Sequence, residues 1–164
     1  MKTHASQWIV LLCGLGLLGA GCGGSANGET AVDRQAITHG ELDGNAHPGV
    51  VLLLMEVNGV PAFRCSASLL SPTVVLTAGH CAGEPGEFSG MRVFTESDVQ
   101  NGNNNYPFAG PNSVEAVYWQ AHPEFTEAAF FLHDVGIVIL QAPGVVLPAS
   151  AYVTIPAENQ LDSL

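Results

Sequence analysis

The sequence predicts an all-β protein, folded as a barrel of short strands. Three observations carry this. Apolar, β-branched runs of strand length recur along the chain, as in Val74-Val75-Leu76 and Val135 to Leu140. Glycine and proline turn signals punctuate them at short intervals, and no convincing amphipathic helix intervenes. No internal repeat is visible, and the length allows one or two domains.

In chain order, Gly49 to Val57 is a strongly apolar run. Asn58-Gly59 follows, a pair that tolerates the left-handed conformations of a two-residue hairpin, so Val60 to Ser66 is expected to fold back on it. Val74-Val75-Leu76 is too short for a helix and reads as a buried strand, with Pro72 at its mouth, where a missing N–H is tolerated. A tight turn carrying His80 between Gly79 and Cys81 follows this strand. Gly83 to Gly90 reads as a loop and Met91 to Thr95 as a strand. Gln100-Asn-Gly-Asn-Asn-Asn-Tyr106 reads as an exposed polar loop. Val114 to Ala121 forms the next strand, leading to His122-Pro123, and Val135 to Leu140 the last. Ala142 to Leu164, rich in proline and alanine, reads as a connection leaving the barrel.

The amino terminus has a different character. Residues 1–21 read as an export signal: Lys2, then an apolar stretch from Trp8 to Leu18 that is too short to span a bilayer. Leu18-Gly19-Ala20-Gly21 before Cys22 resembles a bacterial lipoprotein cleavage box. Two readings stand, ordinary cleavage near Ala20 or a lipid on Cys22, and both place the protein outside the cytoplasm, secreted or anchored at the cell envelope. Residues 22–36 are small, polar and glycine-rich and read as a flexible tether or propeptide. Residues 37–164 form the folded part.

Charge narrows the partners. Four Lys and Arg face fifteen Asp and Glu, a net of −11. No basic stripe exists to neutralise phosphates, so nucleic acid is excluded as a partner. An anionic lipid surface would repel the chain, leaving a lipid at Cys22 as its one route to a membrane.

Cys65-Ser-Ala-Ser-Leu-Leu-Ser-Pro-Thr-Val-Val-Leu-Thr-Ala-Gly-His-Cys81 resembles the histidine motif of trypsin-like (chymotrypsin-family) serine proteases, with Gly79 and Ala67 as departures. His133-Asp134-Val135-Gly136-Ile137-Val138-Ile139-Leu140 resembles that family's aspartate segment and lies the right way along the chain, Asp134 falling 54 positions after His80. Ile37-Thr-His-Gly40 resembles the family's mature start, matching at Ile37 and Gly40 but not at Thr38 and His39. Ile37 is therefore either an activation terminus or the start of a loop. The resemblance implies the first six-stranded barrel of a two-barrel fold, from Ile37 to about Leu164, with the second barrel missing from this chain.

The resemblance also implies a function: serine endopeptidase, hydrolysing protein or peptide substrates by acyl transfer through a Ser-His-Asp triad. His80 would be the general base and acid, since histidine titrates near neutrality, and Asp134 would orient it. The family's nucleophile stands in Gly-Asp-Ser-Gly-Gly, and nothing after Asp134 matches it. Ser150 and Ser163 lack the glycine neighbours that shape an oxyanion hole. The serine is expected beyond this chain; the alternative is an inactive protease homologue serving as an exported binding or surface protein.

With the signal removed, Cys65 and Cys81 are the natural disulfide pair of an oxidising compartment, and Cys22 is left for lipid or as a free thiol. His39, His47, His122 and His133 show no ligand spacing, so no metal and no cofactor are assigned.

Overall fold

The computed structural model describes residues 43–160, which lie within one compact unit. The segments read as an export signal and a tether, with Cys22 and Ile37, lie outside the described residues. Six strands form the fold: β1 (Val50–Val57), β2 (Val60–Leu69), β3 (Val74–Thr77), β4 (Gly90–Phe94), β5 (Ser113–Ala121) and β6 (Gly136–Leu140). They close into a barrel in the order β1-β2-β3-β6-β5-β4, and every neighbouring pair is antiparallel. The expected all-β barrel is the observed one.

Local chemistry sets the register. At the β1–β2 hairpin both turn residues have positive φ, 53° at Asn58 and 75° at Gly59, and Val57 faces Val60 across it. That backbone matches the twist of the flanking strands, which is why this dipeptide closes a two-residue turn. β2 runs on to Leu69, three residues past its expected end, because Ser68 and Leu69 pair with Leu76 and Val75 of β3. The β2–β3 ladder is otherwise short. β3 is bonded more extensively to β6, from Val74 opposite Ile139 to Thr77 opposite Gly136.

Alternate side chains of the strands fill the barrel. Leu53, Leu69, Val75, Val93 and Val138 are wholly buried there, and Met91 and Leu140 almost so. A second, smaller cluster sits on the outer side of β1 and β4. Leu54, Phe94 and Val99 form it, with Phe94 edge-to-face against Tyr106 at 5.2 Å.

That cluster corrects one expectation. The Asn-rich segment does not simply hang in solvent. Asn104 is buried; its Nδ2 donates to Val99 O at 3.0 Å and to Glu96, and its Oδ1 accepts from Tyr106 N at 2.8 Å. A buried amide must bond on both its ends, and these partners satisfy it. The loop is folded onto the barrel wall by Val99 and Tyr106.

The tail is also tied down. Val145 N–H donates to Pro72 O at 2.8 Å, and Val153 N–H to Leu69 O at 2.8 Å. Tyr152 Oη accepts from Leu147 N and donates to Val145 O, both at 2.9 Å. Gly144, at φ 77°, passes so close to β3 that a Cβ there would stand 1.9 Å from Pro72 O. The segment from Val145 to Val153 thus lies on the barrel surface beside β2 and β3.

Candidate active site

β3 leads directly into the site. After Thr77 the chain makes one helical turn, α1 (Gly79–Ala82), where the sequence suggests only a tight turn. Cys81 and Ala82 N–H both reach Ala78 O at 3.2 Å, and Gly83 N–H closes on Gly79 O at 2.9 Å. Gly83, at φ 71°, ends the turn as glycine commonly does. Gly79 is needed for closeness: a Cβ there would come within 2.9 Å of Phe125 Cδ2 and 3.1 Å of Val135 N. The expected Cys65–Cys81 disulfide is present, Cα atoms 6.3 Å apart, and fastens α1 to β2.

Asp134 approaches from the loop before β6. His133 adopts φ 55°, Val135 N–H turns back to His133 O at 2.7 Å, and His122 N–H donates to Val135 O at 2.8 Å. These bonds fix the backbone on both sides of Asp134. Its carboxylate receives two groups from one residue. His80 N–H donates to Oδ1 at 2.9 Å, and His80 Nδ1 lies 3.1 Å from Oδ1 and 3.0 Å from Oδ2.

The chemistry of the pair follows from its donors. An ionised carboxylate only accepts, so Nδ1 carries the hydrogen and Nε2 is left with its lone pair. Asp134 is held below the ordinary carboxylate value of 3.8; the His80 backbone N–H is the largest cause, burial opposes it, and the His80 ring adds to it. The two side chains differ in exposure, 55% for His80 and 28% for Asp134. The arrangement is an oriented base: a carboxylate underneath and an imidazole open to solvent.

Around Asp134 the surface forms a shallow hollow of about 410 Å³, lined by Ser66, Leu76, Thr77 and Val135 among others. A larger hollow of about 740 Å³ lies elsewhere, by Asp43, Arg64 and Glu96, and His80 is not in its lining. The oriented His80–Asp134 pair is thus not in the larger hollow, and Asp134 lines the smaller one. Ser150 sits on a 3-10 turn in the tail, and among the described residues the hydrogen bonds of His80 run to Asp134. Ser163 lies outside the described residues.

Two clusters of ligand-type side chains are present among the described residues: Cys65, His80 and Cys81, and His122, Glu124 and His133. In the first, both sulfurs are spent on the disulfide. The second was invisible in the sequence, where eleven positions separate the histidines. The structure stacks their rings, centroids 4.9 Å apart and planes within 13°.

The trypsin family model matches residues 39–162. The chain belongs to the trypsin family. A relative is serine protease Hayan of Drosophila melanogaster, 25% identical over 115 residues, covering 68% of this chain and 17% of Hayan. Among solved structures, HL collagenase superposes with a TM-score of 0.52 at 20% identity, covering 74% of this chain and 50% of the collagenase. GrC superposes with a TM-score of 0.51 at 18% identity, covering 73% of this chain and 48% of GrC. At those identities the likeness is one of fold. The trypsin-family chain described here spans about half the length of these solved structures and a smaller share of Hayan.

Proposed function

We propose that this chain is the amino-terminal part of a serine endopeptidase, in which His80 is the general base and acid and Asp134 its orienting carboxylate. The observation that carries the proposal is the bond from His80 Nδ1 to Asp134, which leaves Nε2 free to take a proton. The steps are those of the family's triad. A serine from sequence beyond Leu164 attacks the scissile carbonyl of a protein or peptide. Its proton passes to His80 Nε2 and then to the leaving amine, giving an acyl-enzyme. Water, deprotonated by the same nitrogen, releases the acid. Asp134 keeps Nδ1 protonated and stabilises the imidazolium that forms at each transfer. Its depressed pKa favours that role, since the carboxylate stays charged while the ring gains charge.

Export is part of the same proposal. The disulfide suits an oxidising compartment, and residues 1–21 would serve as a signal, removed either near Ala20 or before a lipidated Cys22. Ile37 is proposed as the activation terminus, and cleavage there sheds residues 1–36, Cys22 included; amino-terminal sequencing before and after activation reads the two termini in turn. The enzyme itself is tested by a fluorophosphonate probe on the full protein. Labelling is expected, and His80→Ala should lower peptide hydrolysis by on the order of 10⁶-fold. A folded protein that takes no label and cleaves no peptide would leave an inactive homologue, a binding protein on the protease barrel.

A further inference from the structure

The turn after β5 and the loop before β6 meet beside Asp134 in a cluster that the proton relay does not use. His122 ends β5's approach to the turn, Glu124 follows Pro123, and His133 precedes Asp134. His133 Nε2 lies 3.5 Å from Glu124 Oε2, and the two imidazoles are stacked. One donor atom from each of the three residues falls within 4.8 Å of the others. Two imidazole nitrogens and a carboxylate oxygen form the nitrogen–oxygen set that zinc takes, with a fourth position left to water. The single carboxylate offsets part of the ion's charge. The structure assigns to His122, Glu124 and His133 a binding site for one divalent transition-metal ion of the zinc class.

The geometry also says what must move. Bonds of about 2.0–2.1 Å to a tetrahedral ion bring ligand atoms closer together than 4.8 Å. An ion lies in the plane of each ring it binds, so the stacked rings must turn toward each other. His133 and Glu124 are 45% and 70% exposed, so much of that movement displaces water. His122 Nδ1 accepts from Glu124 N–H at 3.2 Å, a long bond that is given up when the ring turns. Once bound, the ion joins the turn at 122–124 to the residue before Asp134. The His122 N–H to Val135 O bond already links the same two segments, so the ion would add a second tie across Asp134.

The site does not depend on the protease reading and is tested apart from it. Isothermal titration of Zn²⁺ into the full protein, disulfide intact and buffer free of chelators, should show one saturable site per chain. His122→Ala and His133→Ala should each weaken it by more than the roughly 10–100-fold that loss of an outer partner costs. Glu124→Gln should weaken it less, and His47→Ala should leave it unchanged. Co²⁺ in the unmutated protein should give the absorption of a four-coordinate nitrogen–oxygen site, a readout that survives if an alanine variant fails to fold. Absence of saturable binding, absence of that spectrum, or binding that persists in the folded double variant His122→Ala/His133→Ala would overturn the assignment.

Discussion

The molecule makes one pair of bonds twice. At His80 and at His47 the ring Nδ1 and the backbone N–H both address a single aspartate, Asp134 in one case and Asp43 in the other. The bonding is alike and the settings are opposite. Asp43 and His47 are four residues apart in one turn before β1, with side chains 72% exposed for His47 and 51% for Asp43. Asp134 and His80 are 54 residues apart, on two segments held by β3, β6 and a disulfide. A local pair orders itself and little else. A distant pair exists only if the barrel exists, and the barrel therefore fixes where the free Nε2 points. Bonding pattern alone does not distinguish the two pairs; the scaffold that positions them does.

Removing the scaffold is expected to have the largest effect. Replacing Cys65 and Cys81 by serine should lower stability by about 3 kcal/mol, from the loop that the bridge closes across a separation of 16, read as a shift in the urea midpoint. The His80 ring signals should broaden in the NMR spectrum while those of His47 stay as they were. Next is Gly136→Val at the start of β6. A Cβ at that position would stand 2.7 Å from Ala82 Cβ and 2.9 Å from Ala78 O, so α1 must be pushed away. Overpacking of this kind costs about 1–3 kcal/mol, measurable by thermal melting.

Asp134→Asn touches the pair itself. Loss of the charge-assisted bonds should cost about 1 kcal/mol, discounted for partial exposure, and should let Nδ1 and Nε2 compete for the ring proton in ¹⁵N spectra. A pH effect accompanies it. The folded Asp134 has a pKa below its ordinary 3.8, so its contribution to stability is complete above that value and is lost as pH falls through the lower, folded one. Acid unfolding curves of the wild type and Asp134→Asn should therefore converge at the acid end. Asp43→Asn is the smallest change: an exposed local pair contributes little, and stability should move by no more than about 0.5 kcal/mol. A loss from Asp43→Asn equal to that from Asp134→Asn would undo the comparison.

The barrel was legible because its signals are local, and the His80–Asp134 pair because two short segments resemble the histidine and aspartate motifs of the trypsin-like proteases. Short apolar runs, Asn58-Gly59 between two of them and a histidine between Gly79 and Cys81 are all short-range patterns. What stayed hidden depends on the closed barrel. Asn104 looks like a loop residue until the Phe94–Tyr106 contact folds its loop onto the wall. His122 and His133 show no ligand spacing because the ends of β5 and β6, not the chain between them, bring them together. The helical turn at His80 was missed for a different reason. Four residues are too few for helical periodicity to register, and the turn is set by Gly79 fitting against Phe125.

The ring of strands is not equally sewn. Its thinnest seam is between β2 and β3, where only Ser68 and Leu69 find partners, against eight paired positions between β1 and β2. The disulfide crosses that same seam, from Cys65 on β2 to Cys81 just past β3. The sulfur rivet thus supplies tensile continuity where the backbone stitching runs out. Under reducing conditions the wall should gape there first, and His80 sits on the flap.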